Sequence, residues 1–227
     1  MTQVSELFPH GLFGIIYDCD GVMINSRNAN SLFYNRVLAY FGLPPMTEAQ
    51  EHYSFMATGM QALQHILPEA LHSQILDVVK NKVRYRDVVP YLELMPRFRE
   101  FFERMQAAGL HQAMCTNRTS AGFEEILRFF HFPHAFDPVM TSSEAPPKPS
   151  PLGTEKICRY WGVDGSRILF VGDSSYDREA AYGAGVRFAA FNARGLAGDL
   201  MVSGYSELGD LLTPLLSSQA FRLESKR

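Results

Sequence analysis

The chain has 227 residues, 46% of them hydrophobic and 20% charged, enough apolar material to give one large domain or two small ones a substantial core. Its formal net charge of -3, with seven histidines, includes no cationic block, so no nucleic-acid partner and no anionic membrane surface are expected. No apolar run approaches the roughly 18 to 20 residues of a membrane span, and the first residues lack the basic start and cleavage site of a signal peptide, so a cytoplasmic location is expected.

Residues 12–17 form a short apolar run that ends in acidic residues and a glycine, which predicts a buried strand leading into a turn. Residues 29–41 read as a helix stopped by Gly42 and Pro44-Pro45, and Leu71, Ile75, Val79 and Val83 trace a further apolar helical face. Phe98, Phe101, Phe102 and Met105 repeat at helical spacing, as do Phe123, Ile126, Leu127 and Phe130. Strand-like runs recur at residues 112–116, 139–141, 168–171 and 186–191. Phe129 and Trp161 read as core, and the tail after Leu216 as frayed. The cysteines Cys19, Cys115 and Cys158 have no CxxC spacing and read as reduced packing thiols.

After residue 96, strands alternate with helices, which calls for parallel pairing through right-handed crossovers. The expected fold class is α/β, a doubly wound parallel sheet. Residues 23–95 break that rhythm, being helical in period with no clear strand. They read as an inserted helical domain, leaving residues 1–22 and 96–227 to form the sheet-bearing core.

In an open parallel sheet the ligand lies beyond the carboxyl ends of the strands. Four such ends carry polar groups: Asp18 and Asp20 with Gly21; Thr116 and Asn117; Lys148 in the loop of residues 142–151; and Asp173 with Asp177. Taken singly, each has an ordinary explanation. Acidic residues after strands form turns or cap helices, Thr116 and Asn117 can cap a helix starting near Thr119, Lys148 can be a solvated charge, and Asp177 can pair with Arg178 or Arg187. Taken together, four carboxylates on one rim repel one another unless a cation is present. Magnesium suits an all-oxygen site of this kind, and a phosphate substrate explains the ammonium, hydroxyl and amide groups beside it.

DCDGVMINS at residues 18–26, Thr116-Asn117, Lys148-Pro149 and GDSSYD at residues 172–177 resemble, in order and spacing, the four motifs of haloacid dehalogenase superfamily phosphatases. The insertion after the first motif resembles the helical cap of the subgroup containing phosphoglycolate phosphatases and β-phosphoglucomutases, on a Rossmann-like core. The resemblance implies Asp18 as nucleophile and Asp20 as general acid/base. It also implies magnesium held by Asp18, the Asp20 backbone carbonyl, Asp173 and Asp177, and a phosphoryl group held by Thr116, the Asn117 backbone and Lys148. The implied substrate is a small phosphorylated metabolite, such as phosphoglycolate or a sugar phosphate.

Two positions depart from the pattern. Asn25 stands where relatives commonly carry an aspartate, and Asn30 where β-phosphoglucomutases carry a histidine, which argues against the alternative of a mutase. A receiver-like phosphoacceptor domain is opposed by Asp20, the insertion and GDSSYD. Within the insertion Arg27, Asn28, His52, Tyr53, Thr58, Arg84, Arg86 and Tyr91 are polar candidates for substrate contact. Arg118 is better placed, to meet an anionic or hydroxylated substrate or to form a surface ion pair.

Overall fold

The computed structural model describes residues 3–132 and 135–224. The chain opens with α1 (Gln3–Leu7), β1 (Gly14–Tyr17) and β2 (Ile24–Asn25). A helical stretch follows: α2 (Arg27–Tyr40), α3 (Glu48–Met56), α4 (Gly59–Ile66) and α5 (Ile75–Asn81), with short 3-10 turns around α5. Then come β3 (Glu93–Leu94), α6 (Phe98–Ala107), β4 (His111–Cys115), α7 (Ser120–Phe129), β5 (Val139–Met140), α8 (Leu152–Trp161), β6 (Ile168–Gly172), α9 (Ser175–Gly183), β7 (Arg187–Phe191), β8 (Leu200–Val202) and α10 (Tyr205–Glu224).

Six strands make one parallel sheet in the order β5-β4-β1-β6-β7-β8. The first strand of the chain therefore lies inside the sheet, with Tyr17 level with Met114 on one side and Val171 on the other. The order reverses beside β1, so the crevice of an open α/β sheet falls at the carboxyl ends of β1, β4 and β6.

Both faces of β1 and β6 are buried, which is why they read in sequence as unbroken apolar runs. The two-residue period of a strand divides them between two cores. Ile15, Tyr17, Leu169 and Val171 pack on one side with Phe98, Phe101 and Phe102 of α6. Ile16, Ile168 and Phe170 pack on the other with Ile157 of α8 and Phe188. Tyr17, the residue before the candidate nucleophile, has the rings of Phe98, Phe101, Phe102 and Phe136 around it at centroid distances of 5.7–6.4 Å. Its buried hydroxyl donates to Gln112 Oε1 at 2.8 Å, and Gln112 Nε2 donates to the Phe102 carbonyl. The strand end that carries Asp18 is thus fixed by packing and by satisfied polar groups.

β2 and β3 pair antiparallel, forming a ribbon at the two ends of the helical stretch. Thr47 caps α3 and Thr58 caps α4, each completing a capping box with a glutamine three residues on.

Several details differ from the sequence expectations. The ribbon and β8 had no counterpart there, because two or three residues show no period. On the apolar face expected around residues 71–83, Ile75 is fully buried while Leu71, Val79 and Val83 are only partly so, and Val78 is the second buried anchor of α5. Trp161 is partly buried. Phe129 is exposed at 42% and no core residue; the turn of α7 places its neighbours Ile126 and Phe123 inward instead. Helix α10 runs on through Leu216 to Glu224. Among the described residues no helix is long and apolar enough to cross a membrane.

Candidate active site

Asp18 follows β1 directly, its N–H donating to the Val171 carbonyl of β6. The chain then turns sharply, with Met23 and Ile24 N–H both returning to the Cys19 carbonyl. Gly21 in this turn has φ +78, and a Cβ there would fall 1.9 Å from Asp173 Oδ2, so only glycine lets the β1 turn approach the carboxylate that follows β6. Gly172, at the end of β6, leaves the same kind of room for Asp177, whose Cβ would lie 2.4 Å from an added methyl.

Lys148 is buried and bridges two carboxylates, with Nζ donating to Asp18 Oδ1 at 2.5 Å and to Asp177 Oδ1 at 2.6 Å. The other Asp177 oxygen accepts from the N–H groups of Asp173 and Ser174 and from Ser174 Oγ, completing the capping box of α9. Its ion-pair partner is therefore Lys148, and Arg187 instead faces Asp199. Carboxylate oxygens of Asp18, Asp173 and Asp177 lie within 4.8 Å of one another.

Asp20 sits apart from this trio, gripped by Arg118. Nε donates to Oδ2 at 2.7 Å and an Nη to Oδ1 at 2.6 Å. Ser26 Oγ also donates to Asp20, Asn30 Nδ2 approaches at 3.4 Å, and the Tyr85 hydroxyl donates to Asn30 Oδ1 at 2.6 Å. Arg118 in turn lies 4.9 Å from the Tyr85 ring centroid and donates to the Tyr85 hydroxyl. The guanidinium is thus held from both sides, by the β1 turn and by the helical stretch. Arg118 forms a partly buried pair with Asp20, their side chains 12% and 16% exposed, not the surface ion pair that sequence reasoning also allowed.

The electrostatics of the two groups differ. Burial pushes the Asp18 carboxyl up to about 7, with the charges of Asp177 and Asp20 adding to the effect and Lys148 opposing it. Asp173 is raised by burial and by the same like charges. Asp20 is also raised by burial, yet the Arg118 charge and the hydrogen bonds from Arg118, Ser26 and Asn30 outweigh that and hold it below its ordinary value. Burial disfavours the Lys148 ammonium, but Asp177 and Asp18 more than compensate and its pKa rises.

Three carboxylates therefore share one ammonium, while Asp20 is balanced by Arg118. The surplus negative charge and the all-oxygen donor set fit a divalent cation of the magnesium type. Asp18, Asp20, Asn117, Lys148, Asp173 and Asp177 all line one cavity of about 620 Å³. Thr116 is buried at the same strand end and does not line it; its hydroxyl accepts from the Arg118 N–H. The helix after it is capped by Thr119, not by Thr116 or Asn117. Asn117 instead ties the loops together, its Oδ1 accepting from Lys148 N–H and its Nδ2 donating to the carbonyls of Lys148 and of Met56 in α3.

Ser26 and Tyr85 were missed by sequence reasoning, and Asn30 was weighed only as a missing histidine. Ser26 and Asn30 had a usable signal, since they lie four apart at the start of a helix just after Asp20 and share a face. Tyr85 had none, lying 55 residues from the amide it meets. Of the polar candidates named in the insertion, only Thr58 lines the cavity.

Residues 15–191 match the model of the family described as haloacid dehalogenase-like hydrolase. The chain belongs to this family. It is 28% identical over 222 residues to a phosphoglycolate phosphatase of Cereibacter sphaeroides, covering 90% of this chain and 99% of that one. Among solved structures, a haloacid dehalogenase-superfamily hydrolase of subfamily IA from Geobacter sulfurreducens matches with a TM-score of 0.72 and 32% identity, covering 89% of this chain and 97% of that chain. A structure described as a putative phosphoglycolate phosphatase from Lactobacillus plantarum superposes with a TM-score of 0.74 at 22% identity, covering 88% and 99%, a likeness of fold alone.

Proposed function

We propose that this hydrolase is a magnesium-dependent phosphatase that cleaves a small phosphorylated metabolite through an aspartyl phosphate on Asp18. The observation that carries the reading is the convergence of Asp18, Asp173 and Asp177 within 4.8 Å of one another, with Lys148 bridging Asp18 and Asp177, on the cavity that Asp20 also lines. In this reading residues 23–95 are the cap over a Rossmann-like core formed by residues 1–22 and 96–227, and the β2–β3 ribbon is the joint between them. The protein works in the cytoplasm.

Asp18, the Asp20 carbonyl, Asp173 and Asp177 would hold magnesium, which when bound offsets the charge of the phosphoryl oxygens. Attack by an Asp18 carboxylate oxygen on phosphorus breaks the ester P–O bond and leaves the phosphoryl group on Asp18. Lys148 lowers the repulsion between that carboxylate and the incoming phosphate, the Asn117 backbone supplies a neutral donor to a phosphoryl oxygen, and Thr116 supplies a second once its hydroxyl turns from the buried strand end into the cavity. Asp20 gives a proton to the departing alcohol oxygen and then takes one from the water that hydrolyses the aspartyl phosphate. Pairing with Arg118 favours the ionised form, which serves the second step; the first requires that pair to loosen.

The test is steady-state phosphate release from a panel of phosphomonoesters, with and without magnesium, in wild type and Asp18→Asn. Magnesium-dependent release that disappears in the variant is expected. Release that persists in Asp18→Asn would rule out the nucleophile.

A further inference from the structure

The wall of the cavity opposite the strand ends is built from α2 to α5 and the turn that holds Tyr85. Among the described residues it contributes no charged side chain. Phe33, Tyr34, Phe55, Met60, Leu63 and Val79 supply its apolar area. The basic residues of this segment lie elsewhere; Arg27, for instance, is stacked 4.7 Å over the Phe55 ring.

Several polar groups in the same wall are committed within the protein. Thr58 and Gln61 cap one another, and Asn30 and Tyr85 bind each other and Arg118. Among the described residues the buried Ser54 hydroxyl has no hydrogen-bond partner, and Gln61 uses its side-chain oxygen in the cap and not its Nε2. On the other side of the cavity Arg118 is the cation outside the Asp18 cluster, and it is already bound to Asp20 through two hydrogen bonds.

The volume of about 620 Å³ falls within the range of roughly 300–1,000 Å³ that encloses drug-sized ligands. A two-carbon phosphoacid would leave most of it empty, and its carboxylate would meet an apolar wall with no free cation. A sugar phosphate would bury several hydroxyls against a wall made mostly of rings and aliphatic side chains, at a cost for each one left unpaired.

We infer that the physiological substrate is the phosphate monoester of a predominantly apolar alcohol, alkyl or aromatic, whose body fills the wall beneath α2 to α5. This deepens the phosphatase reading and rests on it. The reaction is balanced by water alone: the P–O ester bond breaks, the alcohol leaves with a proton, and phosphate is released.

The experiment is kcat/KM for phosphate release in magnesium from ethyl, butyl and hexyl phosphate, glucose 6-phosphate and phosphoglycolate, with an aryl phosphate as a general reporter of turnover. The alkyl esters share one leaving-group chemistry, so differences among them report the cavity. The expected result is a rise of about three- to fourfold per added methylene, with hexyl phosphate above both glucose 6-phosphate and phosphoglycolate. Met60→Lys, at a site 38% exposed where folding tolerates a charge, is expected to lower kcat/KM for hexyl phosphate and raise it for phosphoglycolate, each by about tenfold. Turnover with no dependence on chain length, or with phosphoglycolate or the sugar phosphate preferred, overturns the inference and leaves the phosphatase reading standing. No release from any compound, the aryl phosphate included, overturns both.

Discussion

The two walls of the cavity are opposites. At the strand ends, Asp18, Asp177 and Lys148 are joined by ion pairs, and Asp20 and Arg118 by another. Facing them, α2 to α5 offer rings and methionine with no charge. Charge at the rim must be compensated at fixed distances, so each group there depends on its neighbours. An apolar wall is constrained only by shape and volume. On the proposed reading, bond breaking belongs to the rim and choice of leaving group to the wall. Rim substitutions should therefore lower turnover of every substrate, and wall substitutions should re-rank substrates.

The largest effect expected at the rim is from Asp18→Asn. Removing a nucleophile should lower kcat by roughly 10⁴-fold or more on all esters, with an unchanged circular dichroism spectrum and melting temperature no lower than wild type, since a raised carboxylate pKa marks Asp18 as costly to keep ionised. Asp20→Asn should cost about 10²- to 10⁴-fold, most for esters of poor leaving groups. An equal loss for alkyl and aryl esters in the phosphorylation step would remove Asp20 from the acid role.

Gly21→Ala comes next. With φ +78 and Asp173 Oδ2 at 1.9 Å from the new methyl, it should displace the Asp173 carboxylate and raise the magnesium concentration for half-maximal rate by roughly 10- to 100-fold. Magnesium titration of activity reads this directly, and an unchanged midpoint would separate Asp173 from the metal.

The smallest effect is on stability. The Asp18 carboxyl ionises near 3.8 in the unfolded chain and at about 7 in the metal-free fold, so the folded state holds the proton more tightly. Its contribution to stability is present in full below about pH 3.8 and is lost as pH rises through about 7. Magnesium requires the ionised form. The rise in melting temperature on adding magnesium should accordingly be larger at pH 8 than at pH 5.5, by about 2–4 °C for each kcal/mol of difference in a chain of this size. Equal rises would mean that Asp18 does not share the metal.

The rim was largely legible in the sequence and the wall was not. Asp18, Asp20, Lys148 and Asp173 follow apolar runs or sit in a proline-rich loop, and the parallel sheet sends all such positions to one edge. The pairing of Asp20 with Arg118 spans 98 residues, beyond any local pattern, although its place directly after Asn117 marks Arg118 as a candidate. Asp177 was legible as acidic, but its second task, capping α9, emerged only with Ser174 in place. In the wall, Phe33 and Leu63 carry the same helical spacing as core residues, so sequence alone does not separate a residue that lines a cavity from one that fills it. Strand β8 escaped for a related reason: with three residues and Met201 exposed at 67%, it carries too little apolar pattern.

The most direct test of the account is to quench the enzyme during turnover and locate the phosphoryl group by peptide mass spectrometry. The account predicts a phosphoryl mass on the peptide carrying Asp18, absent in Asp18→Asn and enriched in Asp20→Asn when an aryl ester supplies the group. Rapid product release with no phosphorylated peptide, or a phosphoryl group on any other residue, would contradict it.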